Sequence, residues 1–347
     1  MQLYIFNQEN RHLTGIIEAF EYLRWTRSYS QCGNFELKAI ATYDNIALLQ
    51  IGNILWKNDD EEAGVIEFVE LTMLEQEFIT VSGRFATSFL ARRIIWGTEI
   101  LSGDLAGAVS QLLGNHLLNP ADPERRISGI NFMPEVLGIS VNTQVSYRNL
   151  LDTICSFCET ADVGIKTVFS PATGTFKIVL YHGSETQAVF SKEYENIIEQ
   201  VFTQSVIDYA SIALVGGEGE GSDRVLAATG SGNGEERYEV FVDARDLQSE
   251  DFPGDYAAAL VFRGQARLAE LVKVESFDVT VNPYGNLRYK TDFDLGSMIR
   301  AVSKRWNLTL TARITEIEEN YDHDGLSLNV TFGKPLLTLS QKLKGVL

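Results

Sequence analysis

The sequence predicts an α+β chain that is mostly β. Two small β-barrel-like domains are expected, with an α+β module inserted between them and a further helix-containing segment in the second. Three observations predict this. Short alternating runs bounded by turn residues fill both ends of the chain. Two patterns of helical spacing occupy the middle. An alanine-rich helical pattern then interrupts the second strand-rich region.

Residues 1–92 are assigned to the first β-barrel domain. "FEYLRWTRSYSQCGNFELKAIA" holds two runs separated by Gly33 and Asn34, a hairpin signal. "GNILWKNDDEEAGVIEFVELTML" holds two more, with the acidic turn Asp59–Glu62 between them, and "QEFITVSGRF" adds another. Residues 93–195 form the α+β insertion. "SGDLAGAVSQLLGNHLL" predicts a helix capped by Ser102, with Leu105, Val109, Leu112 and Leu113 on one face. "VSYRNLLDTICSFCETA" predicts a second, capped by Ser146 and followed by strands "VGIKTVF" and "TFKIVLY" around Gly174. The second β-barrel domain takes residues 196–215 and 272–334. Residues 216–271, a glycine-rich loop, strands and the helix "PGDYAAALVFRGQARLAELV", are inserted in it. Residues 335–347 place Leu336, Leu339, Leu343 and Val346 on one helical face, which predicts a C-terminal docking helix.

The 347 residues are 45% hydrophobic and 22% charged, enough for real cores, with a formal net charge of −18. That sign argues against tight binding to DNA or an anionic membrane, though it suits a surface past which DNA must slide without sticking. The start "MQLYIFNQEN" reads as a strand rather than a signal peptide, and no apolar run is long enough to span a membrane. Three cysteines are too few for a disulfide scaffold and fit a reducing cytoplasm.

Four features invite chemistry. "GGEGEGSDR", Gly216 to Arg224, could suggest a phosphate cradle, but it lacks the P-loop lysine and a following helix, and Glu218 and Glu220 would repel phosphate. It reads as a turn. Cys155 and Cys158 lie beyond the first turns of their helix and share a face with Leu151 and Ile154, so they read as core rather than redox or zinc ligands. Asn320, Asp322, Asp324 and Gly325 resemble the start of a calcium loop, but Thr331 stands at the twelfth position, so a hairpin turn is expected. Of the aromatics Phe20, Tyr22, Trp25, Phe68, Phe78, Tyr238, Phe241 and Trp306, most are expected in the core. No nucleophile elbow is present. No catalytic, cofactor-binding or metal residue is assigned.

Three stretches carry a family resemblance: "EAFEYLRWTRSYSQCGNFELKA" with "NILWKND" and "GVIEFVEL"; "GEGEGSDR" with "RYEVFVDARDL"; and "TDFDLGSMIRAVSKRWNLTLTARITEIEENYDHDGLSLNVTFG". In succession they resemble the tail-hub proteins (baseplate hub or tail tip) of long-tailed bacteriophages, prophages and phage-tail-like particles. The resemblance implies a non-enzymatic virion structural protein, assembled in the host cytoplasm. It implies a homotrimeric ring whose paired barrels meet a sixfold tail tube. Implied partners are tail tube and distal tail proteins, the tape measure and a spike or fibre, with DNA passing transiently during genome ejection and no stable membrane insertion. It also makes Asp294 to Gly296 the turn entering a barrel strand. Many such hubs continue into an enzymatic part; this chain ends at Leu347, soon after the second barrel, which weakens the alternative of a cell-wall-directed hydrolase or carbohydrate-binding tail module.

Overall fold

The computed structural model describes residues 1–73 and 76–334, so the expected docking helix at 335–347 lies outside the described residues. The first region contains β1 (Leu3–Phe6), β2 (Leu13–Ile17), β3 (Tyr22–Ser28), β4 (Asn34–Ile40), the short helix α1 (Tyr43–Leu48), β5 (Ile54–Lys57), β6 (Ala63–Met73) and β7 (Glu77–Phe85). Its strands follow the period-2 pattern. Leu23 and Trp25, Phe35, Leu37 and Ala39, and Ile79 and Val81 are buried, while the residues between them point away.

The middle region contains β8 (Thr98–Asp104), α2 (Leu105–Leu113), β9 (Ile130–Phe132), β10 (Ser140–Ser146), α3 (Leu150–Ala161), β11 (Gly164–Ser170), β12 (Thr175–Tyr181) and β13 (Glu185–Phe190). Both predicted caps are corrected. Ser102 and Ser146 sit inside β8 and β10, which pair across their full lengths. Asp104 caps α2 by accepting from the Ala106 amide, and its carboxylate also takes the Gly138 amide. Asn149 caps α3, accepting from the Leu151 and Asp152 amides. Side-chain acceptors at the true strand ends therefore outrank serines that the ladder has already claimed.

The last region contains β14 (Ile197–Ser205), β15 (Ile212–Gly216), β16 (Leu226–Gly230), β17 (Glu239–Asp243), α4 (Tyr256–Glu270), β18 (Val274–Val281), β19 (Met298–Ser303), β20 (Leu308–Asp322) and β21 (Gly325–Lys334). Strands β15, β16 and β17 form their own small sheet, against which α4 packs Ala259 and Leu260.

The fold is mostly β with several sheets. Its principal sheet has 13 strands, and strands of the first and last regions are joined within it through the antiparallel pair β3–β20. No closed barrel forms among the described residues. Eleven of the sheet's strands run as a path, β14-β18-β21-β20-β3-β4-β7-β6-β5-β1-β2, that does not return on itself, and the other two branch from β20, which pairs with β19, which pairs in turn with β13. The central eight strands read alike from either end: hairpin β6–β7 beside hairpin β4–β3 on one side, and pair β14–β18 beside hairpin β21–β20 on the other. Every neighbouring pair among them is antiparallel. Close approach within the first half is fixed at Gly83, where a Cβ would lie 1.9 Å from the Val65 carbonyl oxygen.

Candidate functional site: an open sheet face and the seam behind it

Behind the β3–β20 seam lies a buried ionic network. Lys57, from the end of β5, is wholly buried; its Nζ lies 2.5 Å from Glu319 Oε2 and 2.9 Å from Asp59 Oδ1. Tyr289 and Tyr321 donate their hydroxyls to Glu319 at 2.8 and 2.6 Å. Arg27, on β3, donates to Asp294 at 2.7 Å and to the Tyr289 hydroxyl at 3.0 Å, and sits 3.6 Å from Asp60. Asp60 in turn accepts from the Trp25 indole at 3.0 Å. The participants come from both ends of the chain, so the network fastens the two halves of the sheet.

Electrostatics keep it charged. Burial pulls the Lys57 pKa down, but the attraction of Glu319 and Asp60, with the hydrogen bonds to Glu319 and Asp59, raises it overall. Burial likewise opposes the Arg27 charge, and Asp60, Tyr289 and Asp294 outweigh it. Glu62 behaves differently. It is buried against Asp60, and burial first, then that neighbouring carboxylate, pushes its pKa up to about 8.

The other face of the same strands is polar. Alternation turns Arg24 on β3, Glu36 and Lys38 on β4, Arg84 on β7, and Glu70 on β6 to this side. From the second half come Glu316 and Glu318 on β20, Asp278 on β18 and Glu199 on β14. Carboxylates outnumber cations on it. Arg24 is shared between Glu36 at 3.9 Å and Glu318 at 3.7 Å. Burial, with repulsion from Glu318 and Asp278, raises the Glu316 pKa. The face is thus hydrophilic across its middle, with Ser, Thr and Asn between its charges and exposed Phe68 and Val201 on its two outer strands, and its charged groups sum to a negative surface that repels rather than binds a polyanion.

The sequence candidates fall elsewhere. The glycine loop is a tight connection: Arg224 donates to the Gly216 and Gly217 carbonyls at 2.8 and 3.1 Å and to Asp243 at 2.6 Å, while Gly219 adopts φ 92°. Its own arginine occupies the carbonyls, and a strand, β16, follows. Cys155 and Cys158 are buried in a core; burial raises both thiols, Cys158 to about 12, which disfavours the reactive thiolate. Asp322 and Gly325 pair at the end of the β20–β21 hairpin, and Asp322, His323 and Asp324 form an exposed cluster there. Of the aromatics, Trp25 alone is fully buried; Phe68, Tyr238, Phe241 and Trp306 are exposed, correcting the expectation that most are core. The turn Asp294–Gly296 does lead into β19, with Asp294 drawn into the seam. The seam itself escaped sequence reading, because Lys57, Glu319 and Asp294 are far apart in the chain. A weak signal existed in charged residues at inward-facing strand positions.

A family described as Siphovirus ReqiPepy6 Gp37-like protein matches residues 2–334. The chain belongs to that family. Comparison with curated protein sequences finds no match. Among solved structures, the 43 kDa tail protein of prophage MuSo2 from Shewanella oneidensis is similar at 13% identity and TM-score 0.62, over 96% of this chain and 99% of that one. A tail protein from Neisseria meningitidis MC58 follows at 12% and 0.59, over 96% of each chain. Prophage tail protein gp18 from Listeria monocytogenes EGD-e shows 11% and 0.58, over 100% of this chain and 99% of that one. At these identities the likeness shows a shared fold: a siphovirus family member has the fold of prophage tail proteins.

Proposed function

We propose that this protein is a structural hub of a phage tail tip, three copies of which form a ring that meets the tail tube and connects it to a spike or fibre. The observation that carries the reading is the central eight-stranded stretch. Its two four-stranded halves have matching spatial order about the β3–β20 seam, so one chain presents two similar edges-and-faces. Three such chains give six similar units, the number needed to meet a sixfold tube. The negative open face becomes the channel wall, past which tape measure and DNA move with little adhesion. Family membership over residues 2–334 and the prophage tail fold over nearly the whole chain support the same reading. In this role the protein is non-enzymatic, and its place is in the virion.

Antibody labelling of purified virions tests this. The expected result is label at the tail tip, with three copies per particle by quantitative mass spectrometry. Label along the tube or on the capsid contradicts it.

A further inference from the structure

The α+β insertion gathers cations that have no counter-charge. Arg92 and Arg93 close the 3₁₀ turn Ala86–Arg92, Arg125 and Arg126 close the 3₁₀ turn Pro123–Arg125, and Arg148 lies just ahead of α3. Bonds to the backbone draw the three segments together. The Arg93 guanidinium donates to the Arg125 carbonyl at 2.6 Å, Arg125 donates to the Ile94 carbonyl at 2.7 Å, and the Ile95 amide donates to the Arg148 carbonyl at 2.9 Å. Ion pairs among the described residues use other arginines, and none of these five has one. Nearby carboxylates are engaged elsewhere: Glu67 with Arg84 at 2.8 Å, and Glu99 with Gln111 and Asn115 at 2.7 and 2.9 Å. Burial first, then repulsion from Arg125 and Arg92, lowers the Arg93 pKa. Apolar side chains stand among the charges. Ile94 (46%) and Trp96 (54%) are exposed on either side of buried Ile95, and the Arg125 guanidinium lies 4.0 Å over the Trp96 ring.

We propose that this arginine–tryptophan patch docks a carboxylate-rich segment of a different tail protein. Three arguments select that occupant. Guanidinium groups crowded together without an acid repel one another, and incoming carboxylates replace that repulsion with charge-assisted, bidentate hydrogen bonds. Arg and Trp side by side, with an aliphatic neighbour, are the residue types concentrated at the energetic centres of protein–protein interfaces. A polyanion such as DNA is disfavoured, because a chain of net charge −18 repels it outside the patch and Ile94 offers a phosphate nothing to bind. A second copy carries the same −18 and is the poorer partner. The patch uses no strand of the principal sheet. That the partner is a tail protein rests on the hub reading; its acidic chemistry rests on the patch alone.

The first test titrates the full chain with a short fluorescein-labelled, Glu-rich peptide carrying a single Leu, read by fluorescence anisotropy. The expected result is binding that weakens with salt. It is expected to fall by about tenfold or more in the double variant Arg126→Glu, Arg148→Glu, and in Trp96→Ala, each with an unchanged circular dichroism spectrum. No binding by the unsubstituted protein, equal binding by both variants, or tighter binding of an oligonucleotide of the same charge overturns the inference. The second test places a photo-cross-linker in assembled virions through Trp96→p-benzoylphenylalanine and reads the adduct by mass spectrometry. The expected adduct is an Asp- and Glu-rich segment of a different tail protein. An adduct in another copy of this chain or in DNA, or no adduct while antibody label stays at the tail tip, overturns the inference and leaves the hub intact. Label away from the tail tip overturns the hub, and the peptide titration then decides the patch by itself.

Discussion

Alternate residues of the same two strands meet opposite surroundings. On β3, Trp25 and Arg27 turn into the buried seam while Arg24 turns to the open face. On β20, Glu319 and Tyr321 turn inward and Glu318 and Asn320 outward. Charge of the same kind therefore does two jobs. Inside, carboxylates are held by Lys57 and Arg27 and fix how the two halves meet. Outside, they are only partly compensated and give the face its sign. A strand pair with period 2 can serve both ends at once, because its two faces are chemically independent.

The comparison is broken most severely from the inside. Lys57→Met takes the closest cation from the buried Glu319 carboxylate, and Glu319→Leu leaves buried Lys57 only the half-exposed Asp59; each is expected to cost about 3–5 kcal/mol in urea unfolding. The double variant is expected to lose less than the sum of the two, since each single change strands the other group. Additive losses would show that the pair does not act as a unit.

Glu62 sharpens the inside further through pH. Its pKa is raised in the folded chain, from 4.5 to about 8, so its contribution to stability is fully present below pH 4.5 and is lost as pH rises through about 8. Glu62→Gln is expected to remove this loss, flattening the urea midpoint between pH 5 and 9. A wild-type midpoint as flat as that of the variant contradicts the assignment.

On the loop, Arg224→Ala removes three hydrogen bonds from a surface connection and is expected to cost about 1 kcal/mol, seen as faster amide exchange confined to residues 216–226. The outside is expected to be least sensitive. Glu318→Gln and Asp278→Asn should change stability by less than about 0.5 kcal/mol. Glu316→Lys with Glu318→Lys should nonetheless raise the retention of DNA on a filter at low salt above that of the unsubstituted protein. Unchanged retention would mean the face does not meet polyanions.

Much of the architecture was legible in the sequence, because it rests on local patterns. Alternation found β3, β4, β6, β7, β18, β20 and β21, and helical spacing found α2, α3 and α4. The caps were misplaced because Ser102 and Ser146 look like helix starts until β8 and β10 are seen to claim them. The exposed aromatics misled for a related reason: Phe68 obeys strand patterning, yet its edge lacks a described neighbour. The seam was illegible because its members come from residues as far apart as Arg27 and Asp294, which only the β3–β20 register brings together. The open face was implicit in the polar halves of each strand, but only strand order shows that they form one surface.

The central claim is that the open face lines a channel at the middle of a threefold ring. Electron cryomicroscopy of the assembled tail tip tests it most directly. The account predicts three copies around a central opening, with Asp278, Glu316 and Glu318 facing that opening. A map in which these carboxylates lie on the outer surface of the ring, or are covered by another protein, would contradict it.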